Sequence, residues 1–183
     1  MEELAALRDY LGLDQCHLIG QSWGGMLIIC YLIEKKPDGI CSGIITSGHC
    51  CSELWASEQH RLLKFLSAED QQAIQKAEAT NNFKSQDYLT ANEHYFTMTC
   101  NDDLSNDPTA PECLRRGKAA GSDIVYETAW GPNEYNPTGN LKDFEYLDKL
   151  NIIKESCLII SGTDDMCTPL VAQSMYNQIA DCQ

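Results

Sequence analysis

The sequence predicts an α/β fold in which short parallel strands alternate with helices around one sheet. The apolar runs at 16–19, 40–46 and 156–161 have the length of buried strands. The first two runs are joined by residues 26–33, which are apolar nearly all round, as expected of a helix packed on a sheet. A strand, a helix and a second strand this close together form a βαβ unit, whose strands are parallel.

Helices are also predicted at the beginning of the chain and near its end. Leu4, Leu7 and Leu11 are spaced three and four residues apart, so residues 2–11 predict an amphipathic helix that ends at Gly12. Residues 141–150 predict a short helix or turn that leads back to the sheet. A second amphipathic helix is expected from Pro169 to about Ala180.

The middle of the chain has a different character, with long polar helical stretches and no convincing strand. Ser67 followed by Asp70 is typical of a helix N-cap with an acidic first turn. A polar, proline-bearing loop at 101–111 divides the region. Because α/β folds often carry a lid between two strands, we interpret the middle as a helical insertion. The expected organisation is a first part of the α/β core at 1–50, a helical cap or lid at 51–140, and a second part of the core at 141–183.

Composition and charge narrow the possible partners. The formal net charge is −14, from 27 acidic and 13 basic side chains, which repels phosphate backbones and anionic membrane surfaces. Nucleic acid is therefore not an expected partner, and neither is a membrane, since no apolar run is long enough to cross a bilayer. The amino-terminal residues lack the pattern of a signal peptide. The oligomeric state is left open.

The ten cysteines predict free thiols. Cys16, Cys30 and Cys157 lie inside apolar strands or helices, where a free cysteine behaves as a small hydrophobe. No C-x-x-C pair occurs, so neither a zinc cluster nor any other metal or cofactor is expected. Free thiols are typical of a reducing compartment, so the expected location is cytoplasmic, with a surface disulfide as the lesser alternative.

The most informative pattern is Gly20-x-Ser22-x-Gly24, between the first strand and its helix. This is the nucleophile-elbow pattern, in which glycines two residues before and after the serine let strand and helix approach at a strained turn. The turn would expose the Ser22 hydroxyl, and the N–H of Trp23 at the helix N-terminus could donate to an oxyanion. Ser22 is therefore a candidate nucleophile.

A serine nucleophile also needs a base and an acid that orients the base. Asp164 and Asp165 follow the strand at 156–161, where a carboxylate would face the crevice at the end of a parallel sheet. No histidine follows them, because the chain's histidines are His17, His49, His60 and His94. Of these, His49 follows the second strand and is a possible surrogate base.

Three stretches in the correct order resemble the proline iminopeptidases, which are serine peptidases of the α/β-hydrolase fold. They are LRDYLGLDQCHLIGQSWGGM, WGPNEYNPTGNLKDFEYLDKL and CLIISGTDDMCTP. The resemblance implies a partial α/β-hydrolase fold with a helical lid. It also implies that Ser22 is the nucleophile, Trp23 an oxyanion donor, Asp165 rather than Asp164 the acid, and Glu134 the group that binds a substrate's free α-amino group.

The chain departs from this family in two ways. Met166 follows the acid, where family members commonly carry a second glutamate, so half of the amine-binding pair is replaced. The family's His-Gly-Gly-Pro-Gly loop would precede Met1, and its last strand and catalytic histidine would follow Gln183. We therefore expect an internal piece of such an enzyme, with little or no peptidase activity alone.

The function predicted from the sequence is that of a serine aminopeptidase, which we expect to be truncated and impaired in this chain. Its substrate would be a peptide or small amide with a free amino terminus, from which it releases the first residue, preferably proline. Two alternatives remain open: a non-catalytic remnant or interaction module of the same fold, and an amidase or esterase of the same superfamily.

Overall fold

The computed structural model describes residues 1–99, 107–115 and 123–183, without the side chain of Leu114. The chain divides into two units. We call residues 1–58 with 142–183 the core unit, and residues 59–141 the helical unit. Part of the loop expected at 101–111 lies outside the described residues.

The core unit is built on a three-stranded sheet in the order β1-β2-β3. The strands are β1 (Cys16–Gln21), β2 (Ile40–Thr46) and β3 (Ser156–Ile160). Both strand pairs are parallel, with Gln21 opposite Thr46 and Thr46 opposite Ile160. The three carboxyl ends therefore lie along one edge, and the expected parallel α/β sheet is confirmed.

The outer edge of β3 pairs with the last residues of the chain. The N–H of Cys157 donates to Asp181 O at 2.8 Å, and the N–H of Gln183 donates to Cys157 O at 3.0 Å. The bridge between Cys157 and Cys182 is parallel. Residues 181–183 thus occupy a fourth strand position beside β3.

Eight α-helices accompany the sheet in the described ranges. They are α1 (Glu2–Leu11), α2 (Trp23–Cys30), α3 (Ser52–Leu63), α4 (Ala68–Thr80), α5 (Gln86–Thr99), α6 (Glu112–Arg115), α7 (Asp123–Ala129) and α8 (Pro169–Tyr176). A wider π-helical turn, Tyr31–Lys35, continues α2, and a 3₁₀ helix, Leu147–Ile152, precedes β3.

One face of the sheet carries the hydrophobic core of the core unit. Ile29 and Ile45 are fully buried there, together with Leu150 and Met175. On β1 and β3, large apolar side chains also remain exposed: Ile19 at 74%, Ile160 at 46% and Leu158 at 39%. Since parallel sheets are ordinarily covered on both faces, this uncovered apolar surface is unusual.

The two terminal helices differ in detail from the sequence-based expectation. Helix α1 ends at Gly12, whose φ of 64° closes the helix, as predicted. Its leucines do not form one buried face: Leu4 packs against the core, whereas Leu7 and Leu11 are about half exposed. Helix α8 ends at Tyr176, four residues early, because the chain turns there to reach β3.

The helical unit has its own buried cluster of aromatic and polar side chains. Tyr95 is fully buried, and its hydroxyl donates to Gln59 Oε1 at 2.6 Å. Tyr95 also meets Tyr135 edge-on, with ring centroids 5.1 Å apart. The N-cap of α4 forms as predicted, since the Ser67 side chain accepts from the N–H of Asp70.

No helix in the described parts of the chain has the length and apolar character needed to span a bilayer. Nine cysteines in these parts are free thiols, of which Cys157 is buried while Cys16 and Cys30 are half-buried.

Candidate active site

Ser22 occupies a strained turn between β1 and α2. Its φ of 54° and ψ of −120° lie in a region that non-glycine residues rarely adopt. Its N–H donates to Thr46 O at 2.9 Å, which ties the turn to the end of β2. The N–H groups of Gly25 and Met26 both donate to Ser22 O, so α2 begins directly after the turn. This is the strand–turn–helix geometry expected of a nucleophile elbow.

The glycines around Ser22 have different roles from those the pattern indicates. A Cβ on Gly20 would lie 2.3 Å from the backbone of Gly24, so Gly20 is required where strand and helix touch. A Cβ on Gly24 would meet nothing within 4 Å, so the approach of strand and helix does not require a glycine at this position, contrary to the pattern. The second tight position is Gly25, whose Cβ would lie 2.9 Å from Ile45 Cγ2.

Trp23 is the first residue of α2, with its side chain 56% exposed. An N–H in the first turn of a helix has no carbonyl four residues earlier within the helix to accept it. The positive end of the helix dipole lies at the same place and strengthens the attraction of this N–H for an anion. The position therefore suits hydrogen bonding to an anion that forms beside Ser22.

Asp165 lies in the loop that follows β3, and its carboxylate accepts three hydrogen bonds. Ser47 Oγ donates to Oδ2 at 2.5 Å, the N–H of Cys167 donates to Oδ1 at 2.8 Å, and the N–H of Gly162 donates more weakly to Oδ2 at 3.4 Å. Asp164 is exposed, and its carboxylate accepts a long bond from Thr163 Oγ1, at 3.4 Å. The two aspartates are thus held very differently.

The segment after β2 connects Ser22 to this acid loop. Thr46 O accepts from the N–H of Ser22, while the N–H of Ser47 donates to Ile160 O at 2.8 Å. Gly48 O accepts from Cys167 Sγ at 3.0 Å. Ser22 follows β1 and Asp165 follows β3, the two strands that flank β2. Both residues therefore lie at the same edge of the sheet, where the strands have their carboxyl ends.

The acid loop is also anchored to α3. Thr168 Oγ1 donates to Glu58 Oε2 at 2.8 Å, and both residues are buried. Thr168 in turn caps α8 by accepting from the N–H of Val171. Burial and the nearby Asp165 charge raise the pKa of the Cys167 thiol to about 12, so this thiol stays protonated.

The four histidines differ in environment, and His49, the possible surrogate base, is a poor proton acceptor. His49 is buried between the rings of Trp55, at 4.8 Å, and Phe144, at 5.9 Å. Burial lowers its pKa to about 3, so its imidazole is neutral and weakly basic at neutral pH. His17 Nδ1 is paired with Ser42 Oγ at 2.7 Å.

His60 and His94 belong to the helical unit. His94 Nδ1 lies 3.0 Å from the Asp70 carboxylate, and His60 Nε2 lies 3.8 Å from Glu78 Oε1. Both histidines are engaged with acidic side chains of that unit.

Glu134 also belongs to the helical unit, where it is half-buried. The Tyr126 hydroxyl donates to Glu134 Oε1 at 2.9 Å. Burial raises the pKa of Glu134, and the bond from Tyr126 opposes part of that rise. Burial and the Glu134 charge raise the pKa of Tyr126, so its hydroxyl remains a donor at neutral pH.

Sequence reasoning missed Ser47, Gly48 and Glu58. Ser47 had one usable signal, because it is a polar residue directly after a predicted parallel strand, at the edge where Asp165 was expected. Glu58 had none, since its bond to Thr168 joins residues far apart in the chain. In the described residues, no group of three or more histidine, cysteine, aspartate or glutamate side chains could hold a metal ion.

Comparison with known proteins shows high similarity to one group. The chain is 52% identical over 180 residues to a proline iminopeptidase of Lactobacillus helveticus, covering 98% of this chain and 60% of the relative. It is 49% identical over 183 residues to a proline iminopeptidase of Lactobacillus acidophilus, covering 61% of that relative. The resemblance inferred from the sequence is thereby confirmed, and the chain spans about 60% of the length of these curated relatives.

A solved structure and a family model agree with this similarity. The crystal structure of a proline iminopeptidase from Mycobacterium smegmatis superposes with a TM-score of 0.78 at 28% identity, covering 99% of this chain and 60% of that one. A family model described as alpha/beta hydrolase fold matches residues 2–182. The chain therefore belongs to the α/β-hydrolase fold family.

Proposed function

We propose that residues 1–183 carry the nucleophile and the acid of a serine aminopeptidase that releases an amino-terminal residue, preferably proline, from peptides. One observation carries the proposal. The N–H of Ser22, in its strained turn, donates to Thr46 O at the end of β2, and the next residue, Ser47, donates from its hydroxyl to Asp165 Oδ2 at 2.5 Å. The similarity to proline iminopeptidases supports the choice of reaction. The free thiols support a cytoplasmic location.

In the proposed reaction, Ser22 Oγ attacks the carbonyl carbon of the first residue and gives its proton to a base. The N–H of Trp23 donates to the oxyanion that forms. The base then passes the proton to the leaving amine, and water releases the first residue from the acyl-enzyme. Asp165 orients the base. We assign the base to a part of the whole protein outside residues 1–183, since the pKa of His49 near 3 makes it a poor proton acceptor.

Glu134 is proposed to bind the free α-amino group of the substrate. Its half-buried carboxylate would pair with an ammonium group and so select the amino-terminal end of a peptide. The raised pKa of Glu134 fits such a role, because a cation brought beside it would favour the ionised form.

A second candidate is an amidase or esterase of the same fold. Met166 favours it, because a methionine after the acid cannot supply a second carboxylate to an ammonium group. Blocked and free amino-terminal substrates distinguish the two reactions. An aminopeptidase requires the free amine, whereas a general amidase or esterase accepts both.

The test compares the 183-residue chain with a completed protein. We define the completed protein as residues 1–183 joined, at matching positions, to the segments of the Lactobacillus helveticus relative that lie outside the match. With a proline arylamide, we expect turnover from the completed protein, none from its Ser22→Ala variant, and little or none from the 183-residue chain. A fluorophosphonate probe should label Ser22 in the completed protein.

Two results would count against the proposed aminopeptidase. A folded completed protein that neither turns over the arylamide nor reacts with the probe would contradict the proposal and favour a non-catalytic module. Equal turnover of acylated and free prolyl substrates would favour the amidase.

A further inference from the structure

We infer that Ser47 is a positioning residue, which orients the Asp165 carboxylate toward the base and fixes its distance from Ser22. This inference rests on the proposed function. Ser47 lies at neither of the motifs that mark the site, and its contact with Asp165 joins residues 118 positions apart.

The first argument is the bond itself. Ser47 Oγ donates to Asp165 Oδ2 at 2.5 Å, a short distance for a hydroxyl and a carboxylate. The N–H of Cys167 holds the other oxygen, Oδ1, at 2.8 Å. With donors on both oxygens, among which the N–H of Gly162 adds a weaker bond to Oδ2, the plane of the carboxylate is fixed. An acid needs this property if it is to hold an imidazole in one orientation.

The second argument is the backbone of Ser47. Its φ of 51° lies in the left-handed region that favours glycine, so this serine is held in a conformation that costs free energy. The residue is nevertheless a serine, and its hydroxyl makes the contact with Asp165. A glycine would fit this turn with less strain, but it would lack the side chain that carries the hydroxyl.

The third argument is the position of Ser47 between the two reacting groups. Its N–H continues the sheet by donating to Ile160 O at 2.8 Å, and the preceding residue, Thr46, accepts the N–H of Ser22 at 2.9 Å. Any shift of this strand end therefore moves the nucleophile and the acid together. Gly48 adds a further link, because a Cβ there would lie 3.2 Å from Ser22 O.

The experiment uses a matched pair, Ser47→Ala and Ser47→Gly. Both variants lose the hydroxyl, but the alanine keeps the backbone strain and the glycine relieves it, so the glycine variant should be the more stable. If the hydroxyl positions the acid, both variants of the completed protein should lose kcat by roughly 10- to 100-fold, as for the loss of a hydrogen bond to a charged group. KM should change little, and the acid limb of the pH–rate profile should shift upward, because a carboxylate with one donor fewer stabilises the protonated base more strongly.

Active-site titration with the fluorophosphonate normalises each rate to folded enzyme, so a purely structural role cannot mimic this result. Ser42→Ala is the matched control, because it removes a hydroxyl bond on the same strand away from the site, and it should retain wild-type kcat. In the 183-residue chain itself, both Ser47 variants should speed amide hydrogen exchange at Cys167.

The possible results distinguish a failure of the inference on Ser47 from a failure of the proposed function. An active wild-type completed protein whose Ser47 variants keep kcat and the acid limb would overturn this inference alone. Activity lost in the alanine variant and retained in the glycine variant would assign Ser47 to stability, which also contradicts the inference. A wild-type completed protein without Ser22-dependent turnover would overturn the proposed function, and the positioning role with it.

Discussion

Gly20 approaches Gly24 so closely that an added Cβ would lie 2.3 Å from the Gly24 carbonyl carbon. The neighbouring atoms are backbone, which cannot rotate away as a side chain could. The contact joins the end of β1 to the first turn of α2 and thereby fixes the turn that presents Ser22.

We expect Gly20→Ala to destabilise the protein by about 1–3 kcal/mol, the usual cost of forcing an extra carbon into a packed site. Gly24→Ala is the control, since its Cβ has open space and alanine favours a helix, so its free energy of unfolding should be unchanged or slightly higher. Urea unfolding of both variants measures the difference. Similar losses of unfolding free energy in the two variants would contradict the idea that the close contact makes glycine necessary at position 20 and not at position 24.

His49 predicts an acid sensitivity of the core unit. Burial lowers its pKa from the usual 6.5 to about 3, so between these values the unfolded chain binds a proton that the folded chain does not. The free energy of unfolding should therefore fall as the pH drops below about 6.5, by at most about 1.4 kcal/mol per pH unit. His49→Gln should reduce this slope between pH 6 and 4.

The ring resonances of His49 test the same point directly. They should stay constant from pH 8 to pH 5 in the folded protein. A midpoint near the ordinary histidine value would contradict the burial argument.

The bond from Tyr126 to Glu134 predicts how substrate binding depends on pH. Burial raises the pKa of Glu134 and the Tyr126 hydroxyl lowers it, so Tyr126→Phe should raise it further. If the ionised form binds the substrate ammonium, affinity is lost as the pH falls through this pKa. As the pH is lowered, the KM for a proline arylamide should therefore begin to rise at a higher pH in the Tyr126→Phe variant of the completed protein than in the wild type. The kcat should be nearly unchanged.

Glu134→Gln is the limiting case, since it removes the ionisable group. Its KM should be high at every pH and should not respond to Tyr126→Phe. A Tyr126→Phe variant with a wild-type KM profile would exclude this hydrogen bond from substrate binding.

The N-cap of α4 predicts a local effect on the helical unit. Ser67 accepts from the N–H of Asp70, and its own hydroxyl donates to Asp70 Oδ2 at 2.8 Å. Ser67→Ala should destabilise the unit by about 1 kcal/mol, and Ser67→Asp, which can still cap, should lose less. Thermal unfolding followed by circular dichroism compares the variants, and equal melting temperatures for the alanine variant and the wild type would contradict the role of the cap.

The Asp70 carboxylate makes the stability of the same unit fall at acidic pH. Burial raises its pKa, but the hydrogen bonds from Ser67 and His94 outweigh that effect and leave the pKa lowered. The stability it contributes is present above the ordinary aspartate pKa near 4 and is lost as the pH falls through the lower folded value. Asp70→Asn should remove this dependence below about pH 4.

The parts of the fold that the sequence predicted are those with strong local patterns. Strand β2 matched its expected bounds because its isoleucines and its threonine favour a strand, and a Pro-Asp-Gly sequence directly precedes them. Ser22 was found because an elbow needs its glycines and its serine within five positions. The N-cap at Ser67 is equally local.

What the sequence could not predict depends on contacts between distant residues. The spacing of Leu7 and Leu11 indicated a buried face, but nothing in the described chain covers them. Ser47 is an ordinary polar residue until the loop after β3 brings Asp165 beside it. The openness of Gly24 likewise depends on the path of the neighbouring backbone.

The central strand β2 bears neither proposed reacting group, yet it acts as a spacer between them. Adjacent strands lie about 4.8 Å apart, so the proposed nucleophile and acid emerge from strands roughly 10 Å apart, a gap that a single imidazole ring and its two hydrogen bonds can fill. Lengthening or shortening β2 by one residue would displace both groups without altering either one. A change at the end of this strand would therefore act on both proposed reacting groups at once, through the hydrogen bonds that Thr46 and Ser47 make to Ser22 and Asp165.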